Sequence, residues 1–204
     1  MAILFVNLTT AVQNTNSTTI TINVPSSVLD DDLMIMQVLG NTVTTYTTPT
    51  GWTLWLATTN NRAIFYRYAS SEPASYTITS SNNTTHDAYI IAYRAAAIDV
   101  IGTLSAAASP IVAPSITTTK NDSYVFASYG AANSGGITFT TPTGFTALAS
   151  DSDGTAPSFA LFYKTQATAG STGTASSTPS AGSQRGIQFS IIPTGIGNFF
   201  FMMG

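Results

Sequence analysis

Charged side chains are scarce in this chain. Of its 204 residues only 15 are charged, six Lys or Arg and nine Asp or Glu, which is 7% against the roughly 25% of an ordinary soluble domain. The formal net charge is −3 and no basic cluster is present, so we expect no nucleic-acid binding. Polar surface must come instead from 35 threonines and 23 serines. Hydrophobic residues make up 44%, which predicts a folded protein with a neutral, hydroxyl-rich surface.

Residues that carry most enzyme and metal chemistry are also few. The chain has no cysteine, which excludes disulfides, thiolate nucleophiles and cysteine-based metal sites. His86 is the only histidine and Glu72 the only glutamate, and no nucleophile elbow or phosphate loop is present. Two acidic segments, residues 30–32 and 151–154, do not have the complete ligand pattern of a calcium loop, so we interpret them as turns. The sequence predicts no catalytic site, cofactor or metal ion.

Long apolar runs are absent as well. The most apolar internal stretch, residues 89–101, is interrupted by Arg94 and Asp99 and is shorter than the roughly 18 residues that a membrane-spanning helix needs. The first ten residues, MAILFVNLTT, lack a basic segment and a cleavage site, so we expect a strand or an arm there rather than a signal peptide. We therefore predict no membrane partner.

Alternation of apolar and polar residues predicts β-strands along most of the chain. Ile20 and Ile22 alternate with threonine, and Phe159, Leu161 and Tyr163 alternate with their neighbours in the same way. The alternating windows are rich in β-branched and aromatic residues, which suit a pleated surface. No long window has the apolar spacing of an amphipathic helix. The predicted fold class is all-β.

An internal duplication organises these strands. The segment TTPTGW at residues 47–52 returns as TTPTGF at residues 140–145. Three flanking segments return in the same order: 32–36 as 122–126, 64–67 as 161–164, and 88–93 as 186–191. The sequence offset grows from 90 to 98, as small loop insertions in the second copy would produce.

The repeats, approximately residues 18–95 and 112–192, allow two arrangements. They form either two tandem sandwiches or one two-sheet, jelly-roll-like sandwich over residues 1–194. We favour the single sandwich because the connecting residues 95–115 contain Ile98, Ile101 and Ile111 and resemble buried strands more than a linker.

Four residues attract attention as possible contacts. Trp52 follows a Pro-x-Gly turn, as a sugar-stacking residue can, but its repeat partner is Phe145, so we interpret both as core anchors. Trp55 has no aromatic counterpart and is a possible surface contact. Arg67 and Lys164 occupy matching strand positions, which favours basic side chains that cover apolar surface over a paired binding site.

The last segment, residues 195–204, is an apolar tail. Full burial of its five large apolar side chains would be worth at most roughly 8–15 kcal/mol. Exposure of the same side chains would favour aggregation, so we expect a cover. We predict that they form a partner interface on another subunit; the alternative is a lid on the same subunit. These residues are Phe199, Phe200, Phe201, Met202 and Met203.

Four short segments resemble small jelly-roll virion structural proteins of tailed bacteriophages. They are PTGWT at 49–53, FYRYA at 65–69, the SEP turn at 71–73 followed by YTI at 76–78, and AYR at 92–94. The resemblance covers residues 18–105 and extends more weakly to the second repeat. It implies a virion protein without enzymatic activity.

Within that resemblance two roles are expected. The first is a capsid cement or decoration protein, a homotrimer on the capsid surface whose partners are itself and the major capsid protein or another virion protein. The alternative is a receptor- or glycan-binding module of the tail or fibre.

Overall fold

The computed structural model describes residues 2–42, 44–57, 61–131, 136–152, 157–182 and 184–195. The described residues contain fourteen β-strands and no helix. The strands are β1 (Leu4–Asn23), β2 (Leu33–Gly40), β3 (Thr53–Ala57), β4 (Arg62–Tyr68), β5 (Ser75–Arg94), β6 (Ala96–Ile101), β7 (Ile111–Ala113), β8 (Thr117–Thr118), β9 (Ser123–Ala131), β10 (Thr146–Asp151), β11 (Ser158–Gln166), β12 (Gly170–Ser171), β13 (Ala175–Ser177) and β14 (Arg185–Pro193).

Two five-stranded antiparallel sheets form the body of the molecule. The first has the order β1-β5-β2-β4-β3 and the second the order β6-β14-β9-β11-β10, so each sheet comes from one half of the chain and the two orders correspond. Two small two-stranded sheets, β8 with β12 and β7 with β13, accompany the second sheet. The prediction of an all-β, jelly-roll-like two-sheet sandwich built from duplicated halves is confirmed.

The hydrogen-bond registers extend the duplication beyond the matched sequence segments. Leu8 pairs with Ile91 in the first sheet, and Ile101 pairs with Phe189 at the corresponding place in the second. Each of these edge pairings also contains a register shift at the corresponding place. The first strand of each sheet therefore belongs to the repeat, and residues 95–115 contain β6 and β7.

One predicted match is wrong by a single residue. Met34 pairs with Arg67 in the first half, whereas Val125 pairs with Lys164 in the second. Met34 therefore corresponds to Val125, and Asp31, rather than Asp32, corresponds to Asp122. Asp31 and Asp122 both have positive φ, 69° and 58°. A slip of one residue would have exchanged the two faces of the strand.

The core between the sheets contains residues of both halves. Tyr93 and Phe126 meet with ring centroids 5.6 Å apart, and Tyr89 and Phe159 meet at 5.1 Å. Every residue of β2 is buried, since a third layer covers the outer face of its sheet. A strand covered on both faces is apolar along most of its length, which explains the unalternating sequence LMIMQVLG. Its one polar side chain, Gln37, accepts hydrogen bonds from the hydroxyls of Tyr89 and Ser128.

The third layer is the folded-over part of the long antiparallel pair β1–β5. The hydroxyl of Thr9 donates to the carbonyl of Asn23, fourteen residues away, at 2.7 Å, so the pair turns back over its own sheet. Ile20, Ile22 and Ile78 then pack against the outer face of the sheet. In the second half β7 and β13 cover the other sheet through Ile111, Ala113 and Ala175.

Candidate functional site

Gly195, the described residue of the tail, follows β14 at an end of the sandwich where several strand termini meet, here called the tail end. β5 ends there at Arg94, β6 begins at Ala96, and the backbone N–H of Thr194 donates to the carbonyl of Ala95 at 3.0 Å. Tyr93 and Tyr124, which lie in opposite sheets, pack at this end with ring centroids 5.9 Å apart. The five predicted interface residues, Phe199, Phe200, Phe201, Met202 and Met203, lie outside the described residues.

A groove of about 480 Å³ opens at the tail end, here called the first groove. Leu29 and Tyr68 form its apolar wall, and both are unusually exposed for large apolar residues, at 59% and 43%. Ala95, Ala96 and Thr194, which directly precedes Gly195, also line the groove. The remaining lining residues are Asp30, Asp31, Asp32 and Arg94.

An ion pair fixes the floor of the first groove. Arg94 donates to Asp32 through Nε at 2.8 Å and through Nη2 at 2.7 Å, a two-point contact that matches the planar guanidinium to the carboxylate. The hydrogen bonds from Arg94 hold its pKa above the usual value. The carboxylate also accepts the backbone N–H of Leu29 at 2.9 Å. Asp32 therefore orients both Arg94 and the loop that presents Leu29.

A second groove, also about 480 Å³, lies at the corresponding place in the other half. Its lining residues are Ala2, Ile3, Asp122, Tyr124 and Thr165. The strand registers make Thr165 the counterpart of Tyr68, and the β2–β9 offset makes Lys120 the counterpart of Leu29. The two exposed apolar residues of the first groove are thus polar at the matching positions of the second half.

The two tryptophans lie against the core. Trp52 is buried, and the Arg67 guanidinium lies 6.0 Å from its ring centroid. Phe145, at the equivalent turn, is half-buried, with the Lys164 ammonium 4.9 Å from its ring centroid. Trp55, the possible surface contact, is half-buried at the edge of the inter-sheet core, 5.6 Å from Phe189 between ring centroids. Only the uncovered part of its ring is available to a partner.

His86 belongs to a buried polar network. Its Nδ1 lies 3.1 Å from the Tyr46 hydroxyl and its Nε2 lies 3.0 Å from the carbonyl of Ser17. A carbonyl can only accept, so Nε2 carries the proton and Nδ1 accepts from Tyr46. Burial lowers the pKa of His86 and raises that of Tyr46, so both groups are neutral near pH 7. The network joins the turn before β3 to β1 and β5.

Two kinds of feature are absent from the described ranges, a metal-binding cluster and a membrane-spanning helix. Within them, no three or more His, Asp or Glu side chains come together as a metal site would require. Those ranges also contain no helix of the length and apolarity that a membrane crossing needs. Asp153, in the second acidic segment, lies outside them.

The groove residues Leu29 and Tyr68 were not singled out from the sequence. The signal for them is present in the duplication, since Leu29 aligns with Lys120 and Tyr68 with Thr165 once the register is correct. Comparison of the chain with protein-family models, curated proteins and solved structures finds no match in any of the three. Function is therefore inferred from the residues and their geometry.

Proposed function

We propose that this protein is a non-enzymatic structural protein of a tailed-phage virion, a capsid cement protein that stabilises the head by binding the capsid lattice. The partners in this proposal are other copies of the chain, as a homotrimer, and the major capsid protein. A ligand that binds only the assembled lattice stabilises it by mass action, which requires extensive contact but no chemistry.

The observation that supports this proposal is that most basic side chains are already engaged in contacts within the chain. Five of the six make contacts within the chain: Arg62 is buried, Arg67 pairs with Glu72, Arg94 pairs with Asp32, and Lys164 and Arg185 donate to backbone carbonyls. Among the described residues, Lys120 is the one basic side chain that is exposed without such a contact. Charged surfaces steer rapid encounters with diffusing partners, and this protein has almost no positive charge available for that purpose.

The surface that remains is suited to static contacts. The outer layer of the first half carries exposed Thr19, Thr21, Thr77 and Thr79, and the hydroxyls of Thr21 and Thr77 lie 3.0 Å apart. Threonines on one face of a sheet present methyl and hydroxyl groups with little side-chain entropy to lose. Such a surface can be covered by a neighbour without the desolvation of charges.

Copy number and location in intact particles test the proposal. We expect hundreds of copies, spread over the head, when purified particles are imaged with a labelled antibody and quantified by stained gels. Confinement to the tail, with a small multiple of three or six copies, would contradict the cement role and support the alternative. Absence from particles would remove both virion roles.

The alternative is a receptor- or glycan-binding module, and one feature of the first groove favours it. The exposed ring of Tyr68 lies in the same groove as the carboxylate of Asp31 and the guanidinium of Arg94. An aromatic face beside planar polar groups can stack on a sugar and bond its hydroxyls. Titration of the protein with host surface polysaccharide, followed by Tyr68→Ala, tests this role.

A further inference from the structure

We propose that the first groove is the receptor for residues 196–204 of a second copy, so that copies of this protein associate tail into groove. The inference deepens the proposed assembly role and rests on it. It identifies which surface meets the apolar tail and which residues define that surface.

The first groove differs from its counterpart in a way that fits an apolar occupant. The two grooves have the same volume and lie at corresponding places in the duplicated fold. Leu29 and Tyr68 in the first groove correspond to Lys120 and Thr165 in the second half, and of these two polar residues Thr165 lines the second groove. A single exposed apolar residue needs no explanation, but here two of them line one groove and both are replaced by polar residues in the duplicate half.

Residues 196–204 have the composition that such a groove would bind. Five of the nine are Phe or Met, none is charged, and two are glycines, Gly197 and Gly204. Aromatic side chains that fill a pocket dominate most protein interfaces. Arg94 is paired with Asp32 in the groove, so an apolar segment would meet no unpaired cation there. Two further carboxylates line the groove: that of Asp30, which accepts the backbone N–H of Ser71 at 2.8 Å, and that of Asp31.

The chain geometry favours a second copy over the same copy. Thr194 is held at the lip of its own groove by its bond to Ala95. Phe199 is five residues further, so an extended chain carries it about 17 Å beyond that lip. Return to its own groove would need a reversal within residues 195–198, whereas a neighbour's groove can be reached without one. A tail-into-groove contact is heterologous, and rotation about an axis closes such contacts into a ring, as in the predicted trimer.

The test uses the full chain and two complementary variants. One lacks residues 196–204 and keeps the groove; the other, Leu29→Lys with Tyr68→Thr, keeps the tail and copies the residues of the second half into the groove. The control is Leu54→Lys, because Leu54 is also exposed, at 41%, but lies on the edge strand β3 outside the groove. Circular dichroism establishes that each variant is folded, and sedimentation velocity measures its mass.

We expect the wild type and Leu54→Lys to be oligomeric and each of the two complementary variants to be monomeric. Mixing the two monomers should give a one-to-one complex and nothing larger, because the pair has one tail and one groove between them. The single variant Leu29→Lys, if the double variant does not fold, should weaken association at least tenfold.

Three results would overturn the inference: a monomeric wild type, a groove variant that assembles normally, or monomers that do not combine on mixing. These results are independent of the particle experiment. A monomeric wild type that still decorates capsids would reject the groove and leave the cement role standing. An oligomer that forms through the groove but is absent from particles would reject the cement role and leave the groove contact standing.

Discussion

Trp52 and Phe145 illustrate how the duplicated halves keep a contact while changing its residues. Each follows a Pro-Thr-Gly turn in which the glycine has a φ of 79°, and the backbone N–H of each donates to the proline carbonyl. Each ring also lies near the cation of the matching strand, Arg67 or Lys164. The Trp52 side chain is only 6% exposed to solvent, however, whereas Phe145 is half-buried.

This difference in burial predicts a difference in stability. Replacement of Trp52 by Ala should lower the free energy of unfolding by about 3–5 kcal/mol, the usual cost of removing a buried aromatic. The matched variant Phe145→Ala should lose clearly less, because more of its ring is already in contact with water. Urea unfolding followed by circular dichroism measures both losses. Equal losses would mean that Phe145 is as important a core anchor as Trp52.

His86 gives the protein a pH-dependent contribution to stability. Because burial lowers its pKa, the folded state binds fewer protons than the unfolded state in the range between the folded pKa and the usual value of about 6.5. The contribution is therefore fully present above about pH 6.5 and is lost as the pH falls from that value through the lower folded-state pKa. Urea midpoints at pH 8.0 and pH 5.5 should show a smaller decrease in His86→Gln than in the wild type. An unchanged pH dependence would show that His86 is not the responsible group.

Among the elements, several strands were predictable and the details of the repeat were not. Alternation located β1, where Ile20 and Ile22 are buried and alternate with exposed threonines, and β11, where Phe159 and Leu161 face the core between the sheets. The match at residues 30–32 failed since three adjacent aspartates offer three equivalent alignments, and only the β2–β4 hydrogen bonds decide among them. The edge strands β1 and β6 were left out of the repeat because Leu8 and Ile101 share nothing except their apolar character.

The first groove could not be read from local patterns for a different reason. Leu29 lies in a loop and Tyr68 at a strand end, 39 positions apart, and nothing in the sequence links the acidic segment after Leu29 to the FYRYA segment that contains Tyr68. Only the sheet brings them to one concavity. The all-β, two-sheet sandwich was predictable from periodicity and repetition, whereas the site depended on tertiary placement.

Gly130 lies in β9 at a position where neighbouring side chains leave no room for a Cβ atom. A Cβ added to Gly130 would lie 2.2 Å from Cδ2 of Leu39 and 2.3 Å from Nη2 of Arg62, which crosses from the first sheet to the second. The buried Arg62 has a pKa lowered to about 10 because its charge is removed from water. Arg62 also lies near the carbonyl of Ser128, with Nη1 3.5 Å away.

Gly130→Ala should therefore destabilise the protein by about 1–3 kcal/mol, the cost of overpacking a filled core. Gly195→Ala is the control, because a Cβ at that position would meet nothing within 4 Å, and it should leave the free energy of unfolding unchanged. Thermal or urea unfolding of the two variants compares them directly. A neutral Gly130→Ala would mean that Arg62 can move aside without loss.

At the scale of the whole molecule, the two halves have diverged, so that the first half packs better against the second half than against a second copy of itself. The registers make Leu39 the counterpart of Gly130, and Phe159 the counterpart of Arg62. The space above Gly130 is what Arg62 occupies. Two copies of the first half packed in the same way would bring Arg62 against Leu39, where that space is filled.

The divergence leads to a prediction about separated halves. A chain of residues 1–95 alone would expose the inter-sheet face of its sheet, including Leu33, Ile35, Ile91 and Tyr93, each worth roughly 1.5–3 kcal/mol when buried. Self-association could cover that face only by placing Arg62 against Leu39, so we expect no native-like homodimer. Coexpression of residues 1–95 with residues 96–204 should instead give a one-to-one complex whose circular dichroism matches that of the intact chain. Mass measurement by light scattering distinguishes these states, and a first half that is stable as a monomer, or that pairs with itself as well as with the second half, would contradict the complementarity of Arg62 and Gly130.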